Sequence, residues 1–207
     1  MNRMLSTLGS VLVKSAWILM YLVLGLSFWR RFSGEREFLG QVILAMLILQ
    51  CLTTAIVLFV RDRAKKTSWR PYDIVVTAAG TFAPFFFVRG NSSEAHWLSA
   101  AVQIAGYMLS IAALAFLRRS MGALPANRGI RTGGPSALIR HPLYAGYLIS
   151  LAGFVSHHIN AHNCIVFGAA VTGECLRLLS EERLLSGDPA YLAYRQKVRW
   201  RLIPFIF

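Results

Sequence analysis

The sequence predicts an all-α integral membrane protein with about five to six transmembrane helices. Of its 207 residues, 56% are hydrophobic and only 15% are charged, and the mean hydropathy is +0.51. A soluble domain of this length carries more charge and less apolar content. Apolar runs of about 20 residues, the length that crosses the hydrocarbon core of a bilayer, recur along the chain. Composition and run length together therefore indicate a multi-pass membrane protein.

Four apolar runs make up the N-terminal region, residues 1–120. They are Val11–Trp29, Leu39–Val60, Tyr72–Val88 and Trp97–Leu117. The third run is short and contains Pro84. Because proline removes a backbone donor, we expect a kink or a tilt at this point of the third helix.

The last apolar region, Leu143–Leu179, is interrupted in its middle. Residues 156–163 contain three histidines and two asparagines, which break the apolar pattern. We therefore predict a hairpin of two shorter helices joined by a polar turn. With the four earlier runs, this hairpin completes the expected five to six spans.

The tail has the pattern of a short amphipathic helix. Asp188 is a suitable N-cap and Pro189 suits the first helical position. Tyr191, Tyr194 and Val198 share one face of this helix, and basic residues surround the other face. A basic amphipathic helix of this kind is typical of a segment that lies on the membrane surface.

The distribution of basic residues predicts an orientation in the membrane. If the N-terminus is cytoplasmic, all but four of the 22 Lys and Arg residues fall on the cytoplasmic side. The exceptions are Arg30, Arg31, Arg36 and Arg89. The N-terminus, the stretch after the fourth span and the C-terminus are then all cytoplasmic. The net charge of +13 flanks the spans instead of forming one patch, so we expect membrane lipids and not nucleic acid as partners. No obligate protein partner is predicted.

The stretch Arg128–Tyr147 is polar, basic and glycine-rich, yet it leads directly into an apolar run. Pro142 fits the first turn of a helix, which places His141 at the N-terminal edge. Helix starts expose unpaired N–H groups and the positive end of the dipole, which suits an anion such as a carboxylate. The alternative is a cytoplasmic loop whose arginines hold lipid phosphates.

A second charged cluster ends the last apolar region. Glu181 and Glu182 follow Arg177 by about one helical turn, so Arg177 and Glu181 are able to meet on one face. Ionisable groups at the mouth of a membrane span are costly and usually functional. The alternative is an ordinary surface ion pair.

Other polar residues do not predict a site. The spacing of His157, His158 and His162 matches no standard metal-ligand pattern, so we expect a polar outer loop and no metal. Asp73 begins a span, where helix capping is expected. The glycosylation pattern at 91–93 and His96 lie in an outer loop. The three cysteines have no pairing pattern and are expected to pack as small hydrophobic residues.

Two separated motifs resemble a known superfamily of membrane methyltransferases. Arg140-His141-Pro142-Leu143-Tyr144, followed by Glu181-Glu182, is similar to the RHPxY…EE signature of that group. The group includes isoprenylcysteine carboxyl methyltransferases and phospholipid N-methyltransferases. The similarity runs from about Arg128 to Pro204, and the tail continues it.

This resemblance implies a pocket for S-adenosylmethionine (SAM), enclosed on the cytoplasmic side by the last helices and the tail. The residues implied to bind the cofactor are Arg128, Gly129, Ile130, Arg131, Ser136, His141, Pro142, Leu143, Tyr144 and Glu181. Arg177 matches an arginine that positions the carboxylate of the substrate, and is implied to be the catalytic residue. Apart from the resemblance, the chemistry of an amine acceptor, which must lose a proton, assigns Glu182 or a water molecule to help at the substrate. Ser136 departs from the family pattern, because many members have an aromatic residue there.

The resemblance therefore implies a methyltransferase region at residues 121–207 and a lipophilic acceptor that enters from the bilayer. Carboxyl O-methylation of an isoprenylcysteine-like substrate is the first expectation, mainly because Arg177 is present. N-methylation of a phospholipid amine is the first alternative. A non-catalytic membrane protein that binds SAM is the second alternative. No separate nicotinamide signature supports a reductase.

Overall fold

The computed structural model describes residues 2–32, 34, 38–90 and 97–207, and within the first helix it describes side chains from Ser15 to Arg30. The helices in these ranges are α1 (Asn2–Phe32), α2 (Phe38–Val60), α3 (Pro71–Phe82), α4 (Trp97–Leu117), α5 (Pro142–His157), α6 (Ala161–Leu185) and α7 (Pro189–Lys197). Two short strands, β1 (Lys66–Thr67) and β2 (Ala126–Asn127), pair antiparallel. The chain is therefore almost entirely helical.

The expected all-α membrane fold is confirmed, and its spans differ in length. Three described helical segments are long and apolar enough to cross a bilayer, namely Phe38–Val60, Trp97–Ser120 and Ala161–Leu185. α3 has 12 residues and α5 has 16, which is less than the roughly 20 that a full crossing needs. α1 has 31 residues.

The two interruptions predicted from the sequence are present. α3 ends at Phe82, and the next four residues, which include Pro84, form a tighter 3-10 turn. Between α5 and α6 the chain breaks after His157, and the Asn160 side chain caps α6 by accepting a hydrogen bond from Asn163 N at 2.9 Å. The proline and the polar turn therefore end their helices for the reasons expected.

α4 and α5 pack face to face along their whole length. A Cβ atom on Gly106 would lie 2.3 Å from Ser150 N, and one on Gly153 would lie 2.6 Å from the Gln103 Cγ. Residues 103 and 106 of α4 thus lie opposite residues 153 and 150 of α5, and the two helices are antiparallel. Glycine permits this approach because no side chain separates the two backbones.

The remaining helices complete a bundle around this pair. α1 packs on α2, α2 packs on α4, and α3 packs on α6. Leu58 of α2 and Leu114 of α4 are completely buried where these helices meet. This arrangement leaves the C-terminal ends of α4 and α6 and the start of α5 next to the loop that carries the motif residues.

The tail helix has the predicted start but not the predicted surroundings. Asp188 accepts a hydrogen bond from Ala190 N at 2.9 Å, and Pro189 opens the helix. Tyr191 and Tyr194 are only 2% and 5% exposed, because they pack against Leu185 inside the protein. The expectation that this face lies on the membrane was therefore wrong. An amphipathic pattern records an apolar face without recording what covers it.

Asp73 also differs from the expectation, since Arg70 and not Asp73 is the N-cap of α3. The buried Asp73 carboxylate accepts a hydrogen bond from the Ser68 hydroxyl. The glycosylation pattern at 91–93 and His96, together with Arg36, lie outside the described residues.

Candidate cofactor and acceptor site

Two cavities meet inside the bundle. The first, here called the loop cavity, lies between the loop after α4, the start of α5, the end of α6 and α7. The second, here called the helix cavity, is larger and lies between helices α1 to α6. Arg177 and Tyr147 line both cavities.

Most residues that the resemblance assigns to the cofactor lie together around the loop cavity. Those in its lining are Gly129, Ile130, Arg131, Ser136, His141, Pro142, Leu143, Tyr144 and Glu181. Arg128 and Glu182 are not in the lining. The chain thus brings residues from the loop, the start of α5 and the end of α6 to one place.

Gly129 shapes the wall of the loop cavity. Its φ angle is +94°, a left-handed conformation that glycine adopts without strain. The Asn127 side-chain oxygen accepts a hydrogen bond from Gly129 N at 3.0 Å, and the Asn127 amide donates to Asp188 Oδ2 at 2.7 Å. Asn127 therefore connects the turn of the loop to the start of α7.

Arg128 is not part of the lining of the loop cavity. Its Nε donates to the backbone oxygen of Asp62 at 3.1 Å. Burial, and secondarily the nearby Arg61, lowers the pKa of the Arg128 guanidinium to about 10. The Arg128 side chain therefore ties the loop to the segment that follows α2. The role of this residue at the cofactor stays a prediction.

Glu181 faces the loop cavity from the end of α6. The Tyr144 hydroxyl donates to Glu181 Oε2 at 2.6 Å, and both residues belong to the lining. The adjacent Glu182 lies on another face of the same helix, since neighbouring helical residues point in different directions. The two acidic residues of the motif thus have separate surroundings.

Glu182 is a buried ionic centre, outside both cavity linings. Its Oε1 lies 2.8 Å from Arg140 Nε and accepts a hydrogen bond from the Tyr191 hydroxyl at 3.0 Å. Its Oε2 accepts from Arg201 Nε at 2.9 Å, and His141 Nε2 lies 3.3 Å from Oε1. The structure thus does not bring Glu182 to an acceptor, because its carboxylate joins the motif loop to the tail.

Backbone hydrogen bonds strengthen this junction. Arg140 N donates to Trp200 O at 2.8 Å, and His141 N donates to Arg201 O at 3.0 Å. His141 is the residue directly before α5, with Pro142 in the first turn, as the sequence predicts. The tail is thereby held beside the start of α5.

The tail supplies two aromatic side chains that the sequence analysis assigned to the membrane. Tyr191 and Tyr194 both line the loop cavity. The Tyr194 hydroxyl donates to the backbone oxygen of Ser136 at 2.6 Å. An aromatic ring from α7 thus lies beside the position where the family pattern has its own aromatic residue. No local sequence signal distinguishes a tyrosine that faces a cavity from one that faces lipid.

Arg177 stands at the junction of the two cavities. It is 3% exposed, its Nη2 donates to Ala123 O at 2.8 Å, and its guanidinium lies 5.2 Å from the centre of the Tyr144 ring. Its Nη1 lies 3.5 Å from Glu174 Oε2, so its ionic partner is Glu174 and not the expected Glu181. Its Nε has no hydrogen-bond partner among the described residues.

The helix cavity has mainly apolar walls with a few buried polar groups. Glu174 is 4% exposed and lines this cavity beside Arg177. Gln50, Thr81 and Gln103 also line it, and one oxygen of each has no hydrogen-bond partner among the described residues. The sequence analysis did not single out any of these four residues, because each lies alone within an apolar run.

Within the described ranges, His, Cys, Asp and Glu side chains form no group of three or more that suits a metal ion. His162 instead bonds through Nε2 to the backbone oxygen of Phe86 at 2.8 Å.

No protein-family model matches the chain, and no curated protein sequence does. Among solved structures, one that is similar is a eukaryotic intramembrane Ras methyltransferase, an isoprenylcysteine carboxyl methyltransferase. The two chains are 22% identical, the alignment covers 95% of this chain and 77% of the other, and the TM-score is 0.48.

Proposed function

We propose that this protein is a membrane methyltransferase that uses SAM and acts on a lipophilic acceptor. The observation that carries the proposal is the junction of the two cavities at Arg177 and Tyr147. One cavity lies among the loops that we place on the cytoplasmic side, gathers the motif residues and includes charged side chains such as Arg131 and Glu181. The other is apolar and lies within the membrane bundle. A water-soluble donor and a lipid acceptor would therefore meet beside Arg177.

The residues around the loop cavity fit SAM. Glu181 offers a carboxylate for the amino group of the cofactor, and Arg131 offers a cation for its carboxylate. Tyr144, Tyr191 and Tyr194 offer aromatic surfaces for its ring and its cationic sulfur. When bound, the cofactor supplies a methyl group on a sulfonium that is able to pass to a nucleophile.

Carboxyl O-methylation is the reaction that Arg177 favours. A carboxylate is already a nucleophile and needs no general base, only orientation and removal from water. The buried Arg177 has a free Nε and lies at the junction of the cavities. It would orient an acceptor carboxylate by charge-assisted hydrogen bonds. An isoprenylcysteine-like thioether, with its carboxylate at Arg177 and its chain in the helix cavity, is therefore the first acceptor to offer.

The first experiment is titration of the detergent-purified protein with SAM, in parallel with Glu181→Gln. We expect saturable binding that the substitution weakens about tenfold, because a charge-assisted hydrogen bond is lost. Labelled methyl donor and N-acetyl-S-farnesylcysteine then test for transfer. Absence of SAM binding in folded protein would overturn the proposal. Binding without transfer to any acceptor would favour a non-catalytic sensor.

A second candidate is N-methylation of a lipid amine. The position of Glu174 in the lining of the helix cavity favours it. This buried carboxylate lines the helix cavity beside Arg177, where it would hold an ammonium or take its proton. The sequence analysis gave this role to Glu182. In the structure, Glu182 instead pairs with Arg140 and Arg201 in the buried ionic centre.

Two substitutions separate these candidates. For a carboxylate acceptor, Arg177→Met should lower turnover at least about a hundredfold, whereas Glu174→Gln should leave most of it. For an amine acceptor such as phosphatidylethanolamine, Glu174→Gln should have the larger effect. Each single substitution leaves the other charged residue buried without its ionic partner, which lowers stability. The double variant Glu174→Gln/Arg177→Met removes both charges and therefore serves as the stability control. If the affinity for SAM is unchanged in all three variants, the lowered turnover results from a defect in acceptor binding or orientation.

A further inference from the structure

We propose that the helix cavity binds a lipid that carries a hydroxyl group part of the way along its apolar body, and that Gln103 and Gln50 hold this hydroxyl. The inference concerns the ligand of the helix cavity and deepens the proposed function. It rests on that function only in placing the reacting end of the lipid at Arg177.

The two amides are unsatisfied in an apolar environment. Gln103 is 3% exposed, and its Oε1 accepts no hydrogen bond from any described residue. The same holds for Gln50 Oε1, so neither oxygen is paired with the amide of the other. An unpaired amide in hydrocarbon is energetically costly, so polar groups inside membranes usually have a partner.

The walls around the amides identify the partner as a lipid. The lining of the helix cavity that contains them is mainly apolar, and includes Leu24, Phe28, Ile43, Leu44, Leu47 and Leu151. A polar, water-soluble metabolite would not bury these apolar side chains, whereas the apolar chain of a lipid would. A plain hydrocarbon chain would leave the oxygens of Gln103 and Gln50, like that of Thr81, without a hydrogen-bond partner.

The position of Gln103 fixes the depth of the hydroxyl. Gln103 lies opposite Gly153 of α5, six residues beyond Tyr147 on the same helix. At 1.5 Å per residue, this is about 9 Å along the helix axis from the junction of the cavities. A ligand whose reacting end lies at Arg177 would thus place its second polar group well inside the bundle.

A hydroxyl is the group that best matches an amide at this depth. It donates one hydrogen bond and accepts others, so it pairs with the oxygen and with the NH₂ of a glutamine. It carries no charge and therefore adds little desolvation cost to an otherwise apolar chain. An ammonium or a carboxylate at the same place would need a counter-ion, and neither glutamine supplies one.

The test is competitive lipid binding, and it needs no methyl donor. The purified protein in detergent is mixed with equal amounts of stearate and one hydroxystearate, and native mass spectrometry compares the two bound populations. A series of hydroxystearates that differ only in the position of the hydroxyl is offered in turn. We expect mid-chain isomers to be preferred over stearate by about five- to tenfold, and a terminal hydroxyl to give no preference.

Isosteric substitutions assign the preference to the amides. Gln103→Met and Gln50→Met keep the length of the side chain and remove its polar end, so each should reduce the preference. Gln41→Met is the matched control, because Gln41 is exposed on α2 and outside the cavity lining. Thermal unfolding checks that each variant is folded. The dependence of binding on hydroxyl position is measured in the unsubstituted protein, so it tests the inference even if a variant fails to fold.

Equal binding of stearate and all hydroxystearates would overturn the inference, as would a preference that survives both substitutions. If the protein does not bind SAM but still prefers the mid-chain hydroxystearates, the proposed function is rejected and the hydroxyl-binding site is retained. The two failures are therefore distinguishable.

Discussion

Glu181 and Glu182 are neighbours in the chain, yet they have opposite surroundings. Glu181 lies at the loop cavity with one tyrosine hydroxyl, whereas Glu182 is 5% exposed with Arg140, Arg201 and Tyr191 around it. A paired acidic motif thus combines a residue available to a ligand with a residue that holds the site together.

We predict that Glu182→Gln destabilises the protein much more than Glu181→Gln does. The substitution leaves the buried Arg140 and the partly exposed Arg201 without their carboxylate. Removing one member of a buried ionic group typically costs about 3 kcal/mol or more. Thermal unfolding in detergent, followed by tryptophan fluorescence, measures the difference. Glu181→Gln is the matched control, and equal midpoints for the two variants would contradict this role of Glu182.

Among the elements, the contact between α4 and α5 positions the motif helix. Gly106 and Gly153 allow the two backbones to touch, and α5 carries Tyr144 and Tyr147 toward the cavities. The pair therefore sets where the site residues lie in the bundle.

We predict that Gly106→Ala lowers the unfolding midpoint, whereas Gly168→Ala does not. The added Cβ at 106 would lie 2.3 Å from Ser150 N, a backbone atom, so the helices must separate at a cost of about 1–3 kcal/mol. A Cβ at Gly168 of α6 meets nothing within 4 Å, and alanine favours helix. Similar midpoints for both alanine variants would show that the close approach is unimportant.

The start of α7 should be sensitive to acid. The Asn127 amide, and then Ala190 N, stabilise the Asp188 carboxylate and lower its pKa below the ordinary value. Because the folded pKa is depressed, the stabilisation is fully present above the unfolded pKa of about 4 and is lost as the pH falls through the folded pKa.

We therefore expect hydrogen exchange in Pro189–Lys197 to rise below about pH 4, after correction for the intrinsic exchange rate. Asp188→Asn keeps a capping side chain but cannot titrate, so its exchange should lack this acid-dependent step. An identical pH profile in the variant would exclude Asp188 as the cause.

For the whole molecule, the basic residues predict that the loop cavity faces the cytoplasm. Cys164 is exposed in the first turn of α6, at the opposite end of that helix from Glu181. A membrane-impermeant maleimide added to intact cells should then label Cys164 and should not label Lys65→Cys in a variant whose native cysteines are replaced. Labelling of residue 65 alone would reverse the proposed orientation.

The sequence by itself determined the class of the fold and the order of its elements. Long apolar runs, Pro84 and the polar break before α6 act locally, because each fixes hydration or backbone geometry within a few residues. The same holds for Asp188 and Pro189 at the start of α7. The motif residues also indicated where the candidate site begins and ends along the chain.

Only the tertiary structure decided which side chains share a cavity. Glu174, Gln50 and Gln103 are isolated polar residues in three different apolar helices, and packing alone brings them to one space. The burial of Tyr191 and the partners of Glu182 likewise depend on contacts between segments far apart in sequence. Helical periodicity defines a face, but the neighbour of that face is a property of the assembled bundle.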